Sequence, residues 1–245
     1  MSRALIITVA GKATRFRESI GKDELKAIYG NPSILEIMLG YALPYFEKIV
    51  IVGGYKFKEL ESFIQEKYAN ENIVLVENEL YEYGSNVSLV KGILALDEAY
   101  DEILFAEGDL VVDKKSLIDI IKIPKDVVSY TNKLIDAKTS VIFYQNMSGK
   151  ICYKYDTEHK QLYIEEPFKI IANSGQIWKF GNFEILKKIA QSFTDDDKNE
   201  TNLATIESYF SAISKDTIAF MPIKDWFNCN TIDDYNDAIE FIRSK

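Results

Sequence analysis

Short apolar runs alternate with longer amphipathic stretches through the first half of the chain. The runs ALIITVA, KIVIVGG, NIVLVEN and DEILFAEGD are rich in Ile, Val and Leu and only a few residues long. That is the pattern of strands buried on both faces, as in a parallel sheet. The stretches between them have helical spacing. PSILEIMLGYALPYF opens with Pro32 at a first-turn position. KFKELESFIQEKYA places Phe57, Leu60, Phe63, Ile64 and Tyr68 on one stripe. NVSLVKGILALDEAY begins at Asn86, a residue suited to N-capping. This rhythm predicts βαβ units and an α/β fold with a doubly wound, mostly parallel sheet.

The texture changes after Asp109. VVSY, TSVIFYQ, KICYKY and QLYIEE are shorter, Tyr-rich and partly alternating, as expected of half-exposed mixed or antiparallel strands forming a small extension. The helical patterns NFEILKKIAQSF and TNLATIESYFSAI flank the charged run TDDDKNE, which reads as a solvated loop. The remainder reads as a strand TIAFMPI, a loop KDWFNCN and a helix TIDDYNDAIEFIRSK. With no internal repeat or linker, residues 1–245 are expected to form one domain, divided into halves at about 112.

Composition narrows the partners. A hydrophobic content of 47% supports a sizeable core. The net charge of −9 argues against nucleic acid, whose phosphates select basic surfaces, but allows a small phosphorylated ligand in a local basic pocket. No apolar stretch approaches the roughly 20 residues that span a bilayer, and the first run reads as a strand instead of a signal core. Cys152 and Cys229 lie far apart and form no CxxC pair. A cytoplasmic protein without membrane partner, disulfide framework or zinc site is expected.

The first strand runs into VAGKATRFRES, where Gly11 lets backbone N–H groups approach a ligand and Lys12, Arg15 and Arg17 supply charge. Neither the Walker A pattern nor the dinucleotide fingerprint is present. In a sheet of order 3-2-1-4, strands 1 and 4 meet at the switch point, where ligands bind beyond their carboxyl ends. Asp109, in AEGDL after the fourth strand, would then face Lys12, Arg15 and Lys26 across a crevice. A carboxylate opposite a basic phosphate loop suits a bridging Mg²⁺, which takes one or two carboxylates plus substrate phosphates.

These stretches together resemble the nucleotidyltransferase family. VAGKATRFRES followed by DELKAI is similar to its signature A-G-x-G-[ST]-R with a later Lys, and EGD is similar to its metal-binding Asp motif. DWFNCNTIDDY resembles its terminal motif W-x-D-x-[DN]-T-x-[ED]-D-[LY], and ANSGQIWKF its small-residue strand beside the acceptor. Two departures stand out. Lys12 occupies the place of a second Gly or small residue, and Asn228 and Asn230 stand where Asp is commoner. The segment ELYEYGSNVSLVKGI is closer to cytidylyltransferases for phosphocholine, 2-aminoethylphosphonate or phosphoglutamine, the last in capsular phosphoramidate synthesis.

The resemblance implies a Mg²⁺-dependent transfer of CMP from CTP to a small phosphorylated acceptor, with pyrophosphate released, by a monomer or homodimer. Arg15 and Lys26 would be catalytic, and Ala10, Gly11, Lys12, Thr14, Gly84, Ser85, Asn86 and Glu107 would bind the nucleotide. Asp109 with Asn228 or Asn230 would hold the metal. The acceptor would meet Glu166, Lys169, Gly175 and Trp178. A choline head would draw on Tyr81, Tyr83, Trp178 and Trp226 as an aromatic box, and glutamine on Glu165, Glu166 and Lys169. A uridylyl- or thymidylyltransferase for sugar 1-phosphates, or a regulatory relative without catalysis, are the alternatives. An ionised phosphate nucleophile needs no general base, and the single histidine, His159 in the polar turn DTEHKQ, is expected at the surface.

Overall fold

The structure, a computed structural model, describes residues 1–136, 140–155 and 161–244. The expectation for His159 lies outside the described residues. The first half runs β1 (Arg3–Thr8), α1 (Thr14–Ile20), α2 (Ile34–Ala42), β2 (Lys48–Gly53), α3 (Phe57–Tyr68), β3 (Ile73–Glu77), α4 (Asn86–Leu94) and β4 (Glu102–Glu107). There follow β5 (Leu110–Val112), α5 (Lys114–Lys122), β6 (Asp126–Thr131), β7 (Ile142–Asn146), β8 (Ile151–Lys154) and β9 (Phe168–Phe180). The chain continues with α6 (Phe183–Gln191), α7 (Leu203–Ala212), β10 (Ile218–Ile223), β11 (Trp226–Asn228) and α8 (Ile232–Arg243).

The main sheet has the order β10-β6-β9-β4-β1-β2-β3, with β7 on the outer part of β9 and β8 on β7. β3, β2, β1 and β4 are mutually parallel, as their apolar runs predict. β9 enters antiparallel between β4 and β6 and continues outward to pair with β7. The mixed extension is therefore an outgrowth of one long strand.

Period-two alternation divides each central strand between two cores. Leu5 and Ile7 of β1, with Ile49 and Ile51 of β2, pack beneath α2, α3 and α5. Ala4, Ile6, Val50 and Val52 face the other way, against α4, α6 and α7. A third cluster joins Phe16 of α1, Ile34 and Ile37 of α2, Val111 of β5 and Tyr235 of α8. It fastens the last helix over the opening segment.

Several local expectations differ. α2 starts after Ser33, whose hydroxyl accepts from the Glu36 N–H while the Glu36 carboxylate accepts from the Ser33 N–H at 2.8 Å. This capping box sets the start, so Pro32 precedes the helix. Asn86 is the first residue of α4 and Ser85 its cap. QLYIEE forms no strand, and KDWFNCN contains β11, which pairs with β5 through Asn228↔Leu110. The helices α1 and α5 are additional. The charged run makes a single 3₁₀ turn, Asp195–Asn199, but its end is not merely solvated. The Lys198 and Glu200 carbonyls accept hydrogen bonds from the N–H groups of Gly84 and Asn86 at 2.8 and 3.1 Å.

Among the described residues no helix is long and apolar enough to cross a membrane. Both cysteines are buried and unpaired. Buried charges sit in the sheet: Lys179, 2% exposed, donates to Glu102 at 2.8 Å, and Glu102 also accepts from Arg3 at 2.7 Å. Burial holds the Lys179 ammonium below its usual range, against the pull of Glu102. Removing one partner of such a pair leaves the other charge poorly compensated. Lys179→Ala should lower the unfolding free energy by about 3 kcal/mol in urea titrations. An unchanged midpoint would mean that the pair does not support the sheet.

Candidate active site

β1 and β4 end level with one another, with Thr8 opposite Glu107. Beyond that point the two chains separate and leave a cleft. Gly108 lies so close to β1 that a Cβ there would sit 2.3 Å from Val9 Cγ1 and 2.6 Å from the Thr8 carbonyl oxygen. Its missing side chain allows the two exits to stay together. Nothing lies within 4 Å of a Cβ built on Gly11, so that backbone faces open space. Ala10, Gly11, Lys26, Gly84, Ser85, Glu107 and Asp109 all line this first cleft.

A second cleft adjoins it. The two share Ser85, Glu107 and Asp109, and the second adds Arg15, Gln176, Asn202, Asn228 and Asn230. At the junction the Lys26 ammonium donates to Asp109 Oδ2 at 3.0 Å. The other carboxylate oxygen, Asp109 Oδ1, is buried without a hydrogen-bond partner, and so is Asn228 Oδ1. The β5–β11 ladder and the Cys229 N–H donating to the Asp109 carbonyl at 2.9 Å hold these two residues side by side. Asn230 differs: its Oδ1 accepts from Arg15 at 2.9 Å. Of the two asparagines, Asn228 has the uncommitted oxygen.

Two neighbouring uncommitted oxygens, one of them anionic, are a hard donor set. They fit Mg²⁺, which binds oxygen and completes its shell with water and phosphate. Among the described residues no group of three or more His, Cys, Asp or Glu side chains could hold a metal by itself. An ion here would need substrate oxygens.

Glu107 stands behind Asp109. Burial, with repulsion from Asp109, pushes its carboxyl up to about 7, partly offset by the Asn202 amide, which donates at 2.6 Å, and by Lys26. Asn202 also donates its backbone N–H to the Ser85 hydroxyl at 3.0 Å. It therefore ties the segment before α7 to the floor of both clefts.

Other expected residues lie elsewhere. Lys12 pairs with Glu82 and does not line the first cleft. In this loop the residue in the glycine-favouring conformation is Ala13, at φ 48°, and not Lys12. Arg17 is committed to Asp23 at 2.6 Å and to the Tyr55 hydroxyl at 3.1 Å. Thr14 faces a surface depression beside Arg17 and Asp23. Asn86 is buried, its amide oxygen accepting from the Thr205 hydroxyl at 2.7 Å.

The acceptor-side expectations fare worse. Trp178 is fully buried, stacked on Phe105 and donating to the Tyr153 hydroxyl at 2.6 Å, so it belongs to the core. Glu166 accepts from Tyr144 and Asn146, both at 3.0 Å, on the β7 side, and neither it nor exposed Lys169 lines either cleft. Gly175 is buried against Ser129 and takes part only as backbone, its carbonyl accepting from Trp226 at 3.0 Å. Tyr81 and Tyr83 line the first cleft, whereas Trp226 lies under Lys133, so these side chains do not come together as a box. Gln176 and Asn202 were not expected. Their sole sequence signals are a polar residue after a small-residue strand and one after a charged run.

The fold is shared with solved nucleotidyltransferases. The inositol-1-phosphate CTP transferase from T. maritima aligns over 100% of this chain and 96% of its own, with TM-score 0.74 and 13% identity. The CTP:phosphocholine cytidylyltransferase from Streptococcus pneumoniae covers 99% and 100%, with TM-score 0.69 and 15% identity. A UDP-glucose pyrophosphorylase complexed with UDP-glucose covers 100% of both, with TM-score 0.69 and 12% identity. At these identities the likeness is one of fold. No curated protein matches the sequence. The family described as "Domain of unknown function (DUF6564)" matches residues 22–242, nearly the whole chain, and the protein belongs to that family.

Proposed function

We propose that the protein is a nucleotidyltransferase that moves CMP from CTP to a small phosphorylated acceptor. The observation that carries this reading is the Lys26–Asp109 pair at the junction of two clefts, with Asp109 Oδ1 and Asn228 Oδ1 left over beside it. One cleft takes the nucleotide and the other the acceptor. The preference for CTP follows the resemblance of ELYEYGSNVSLVKGI and agrees with two of the solved relatives in fold.

In the reaction an acceptor phosphate oxygen attacks the α-phosphorus in line. Its bond forms as the bond to the β-phosphate bridging oxygen breaks, and the electron pair leaves with pyrophosphate. The nucleophile is already ionised, so the chain's task is positioning and charge compensation. Lys26, released from Asp109, would offset charge growing on the α-phosphate oxygens. Arg15 would hold the acceptor phosphate, with Asn230 orienting the guanidinium. Gly11, open towards the first cleft, would let backbone groups approach the nucleotide. Asp109 and Asn228 would hold Mg²⁺, which supplies further neutralisation of the phosphates. Phosphocholine-like and phosphoglutamine acceptors lose support, because the side chains expected to grip them do not line the second cleft.

A pyrophosphate-release assay across CTP, UTP and dTTP, each with phosphocholine, aminoethylphosphonate, phosphoglutamine and hexose 1-phosphates, tests the reading. CTP should exceed the other donors by at least about tenfold in kcat/KM. Preference for UTP or dTTP would move the base assignment. Nucleotide binding without turnover of any pair would instead favour a regulatory relative.

Lys26→Ala should lower kcat by about 10²- to 10³-fold without unfolding the chain. Full turnover would remove Lys26 from the chemistry. Asn228→Ala should raise the Mg²⁺ concentration needed for half-maximal rate, whereas Asn230→Ala should raise the acceptor KM and leave that requirement unshifted. The reverse pattern would exchange the roles of the two asparagines.

A further inference from the structure

Lys26 reaches the junction of the clefts from a short segment that follows α1. Leu25 and Ala27, both 3% exposed, anchor the chain on either side of it. Residues 21–24 have no buried side chain. Asp23 gives them a polar anchor instead. Its Oδ1 accepts from the Arg17 guanidinium at 2.6 Å and from the Tyr55 hydroxyl. Its Oδ2 lies 3.5 Å from the Lys56 ammonium, which also donates to the Asp23 carbonyl.

These partners belong to other walls of the first cleft. Arg17 Nε donates to the Lys12 carbonyl at 2.7 Å, in the loop that leaves β1. The Tyr55 N–H donates to the Ala10 carbonyl at 2.9 Å, and its ring meets Tyr81 edge-on, centroids 6.2 Å apart. A Cβ on Gly54 would lie 2.5 Å from Tyr81 Cβ and 2.9 Å from the Ala10 oxygen, so the turn after β2 is wedged between the two. Ala10, Lys26 and Tyr81 line the first cleft, whereas Arg17, Asp23 and Tyr55 stand behind it.

Backbone strain gathers at the same place. Among the described residues, the non-glycine positions with positive φ are Ala13, Lys56 and Gln176. Ala13 follows the residue whose carbonyl Arg17 holds, and Lys56 is itself a partner of Asp23. Such conformations persist where the surroundings over-determine them, and they cluster at functional sites. A lone exposed ion pair contributes little, but here three donors converge on one carboxylate as a network. Hydrogen bonds from Tyr55 and Arg17 hold the Asp23 carboxyl down at about 2, so the network is ionised at neutral pH.

We propose that Asp23 is a positioning residue for nucleotidyl transfer, tying the segment that carries Lys26 to the loop after β1 and the turn after β2. The proposal rests on the nucleotidyl-transfer reading above. In that reading Lys26 leaves Asp109 for the α-phosphate. Among the described residues, Asp23 is then the polar side chain that joins its segment to the cleft's other walls. Reaction rate is steep in such placement, because charge compensation requires the ammonium at the oxygen where charge grows.

The test measures kcat, acceptor KM, CTP dissociation constant and thermal midpoint for the wild type, Asp23→Ala, Asp23→Asn, Tyr55→Phe, Lys26→Ala and the double variant Asp23→Ala/Lys26→Ala. Asp23→Ala should lower kcat about tenfold and leave both the acceptor KM and the CTP dissociation constant within about twofold. Asp23→Asn and Tyr55→Phe, which keep the shape of the network, should lower kcat by about two- to fivefold at an unchanged midpoint. The decisive reading is the double variant. If Asp23 acts through Lys26, its loss costs nothing further once Lys26 is gone, whereas a merely structural role would add its full tenfold. Additive losses, or an unchanged kcat in all three single variants at Asp23 and Tyr55, would overturn the proposal and leave nucleotidyl transfer intact. A wild type that transfers no nucleotide to any acceptor would overturn both.

Discussion

The candidate site depends on β1 and β4 lying side by side although almost a hundred residues separate them in the chain. Parallel pairing brings Thr8 level with Glu107, and both strands then give way to loops at the same height. Gly108 keeps the two exits in contact. A cleft follows from this single adjacency, because the backbone ends there and side chains from several other segments close around the gap.

Charge balance shapes what the cleft can hold. Lys26 and Asp109 neutralise one another in a partly buried setting, where either alone would be costly. The arrangement is incomplete, since Asp109 Oδ1 and Asn228 Oδ1 remain unpaired. Asn228, being neutral, adds no further repulsion to a site where burial and Asp109 already push Glu107 towards neutrality. A phosphorylated ligand arriving with a cation would satisfy both halves of the pair without leaving a bare charge.

The two clefts are mechanically joined by the segment from Thr194 to Leu203. Its carbonyls cap the start of α4, and Asn202 bridges Ser85 and Glu107. A Cβ on Gly84 would lie 2.0 Å from the Glu200 oxygen, so this contact is backbone on backbone. A run rich in acids reads as solvent-facing, but its backbone hydrogen bonds are independent of side-chain composition.

The sequence by itself determined the alternating architecture, the parallel order of the first four strands and the confrontation of Lys26 with Asp109. Apolar periodicity reports burial on one or both faces, and burial sets the layers. Short elements such as β5, β11 and α1 escaped it, because a few residues carry too little periodicity and are stabilised by partners distant in sequence. Tertiary structure alone decided which polar groups are committed. Lys12 goes to Glu82, Arg17 to Asp23 and Asn230 to Arg15, whereas the Asn228 amide oxygen is left without a partner beside the second cleft. A hydrogen bond is a contact between specific atoms about 3 Å apart. Residue type and spacing state what could bond, and only the packed chain settles what does.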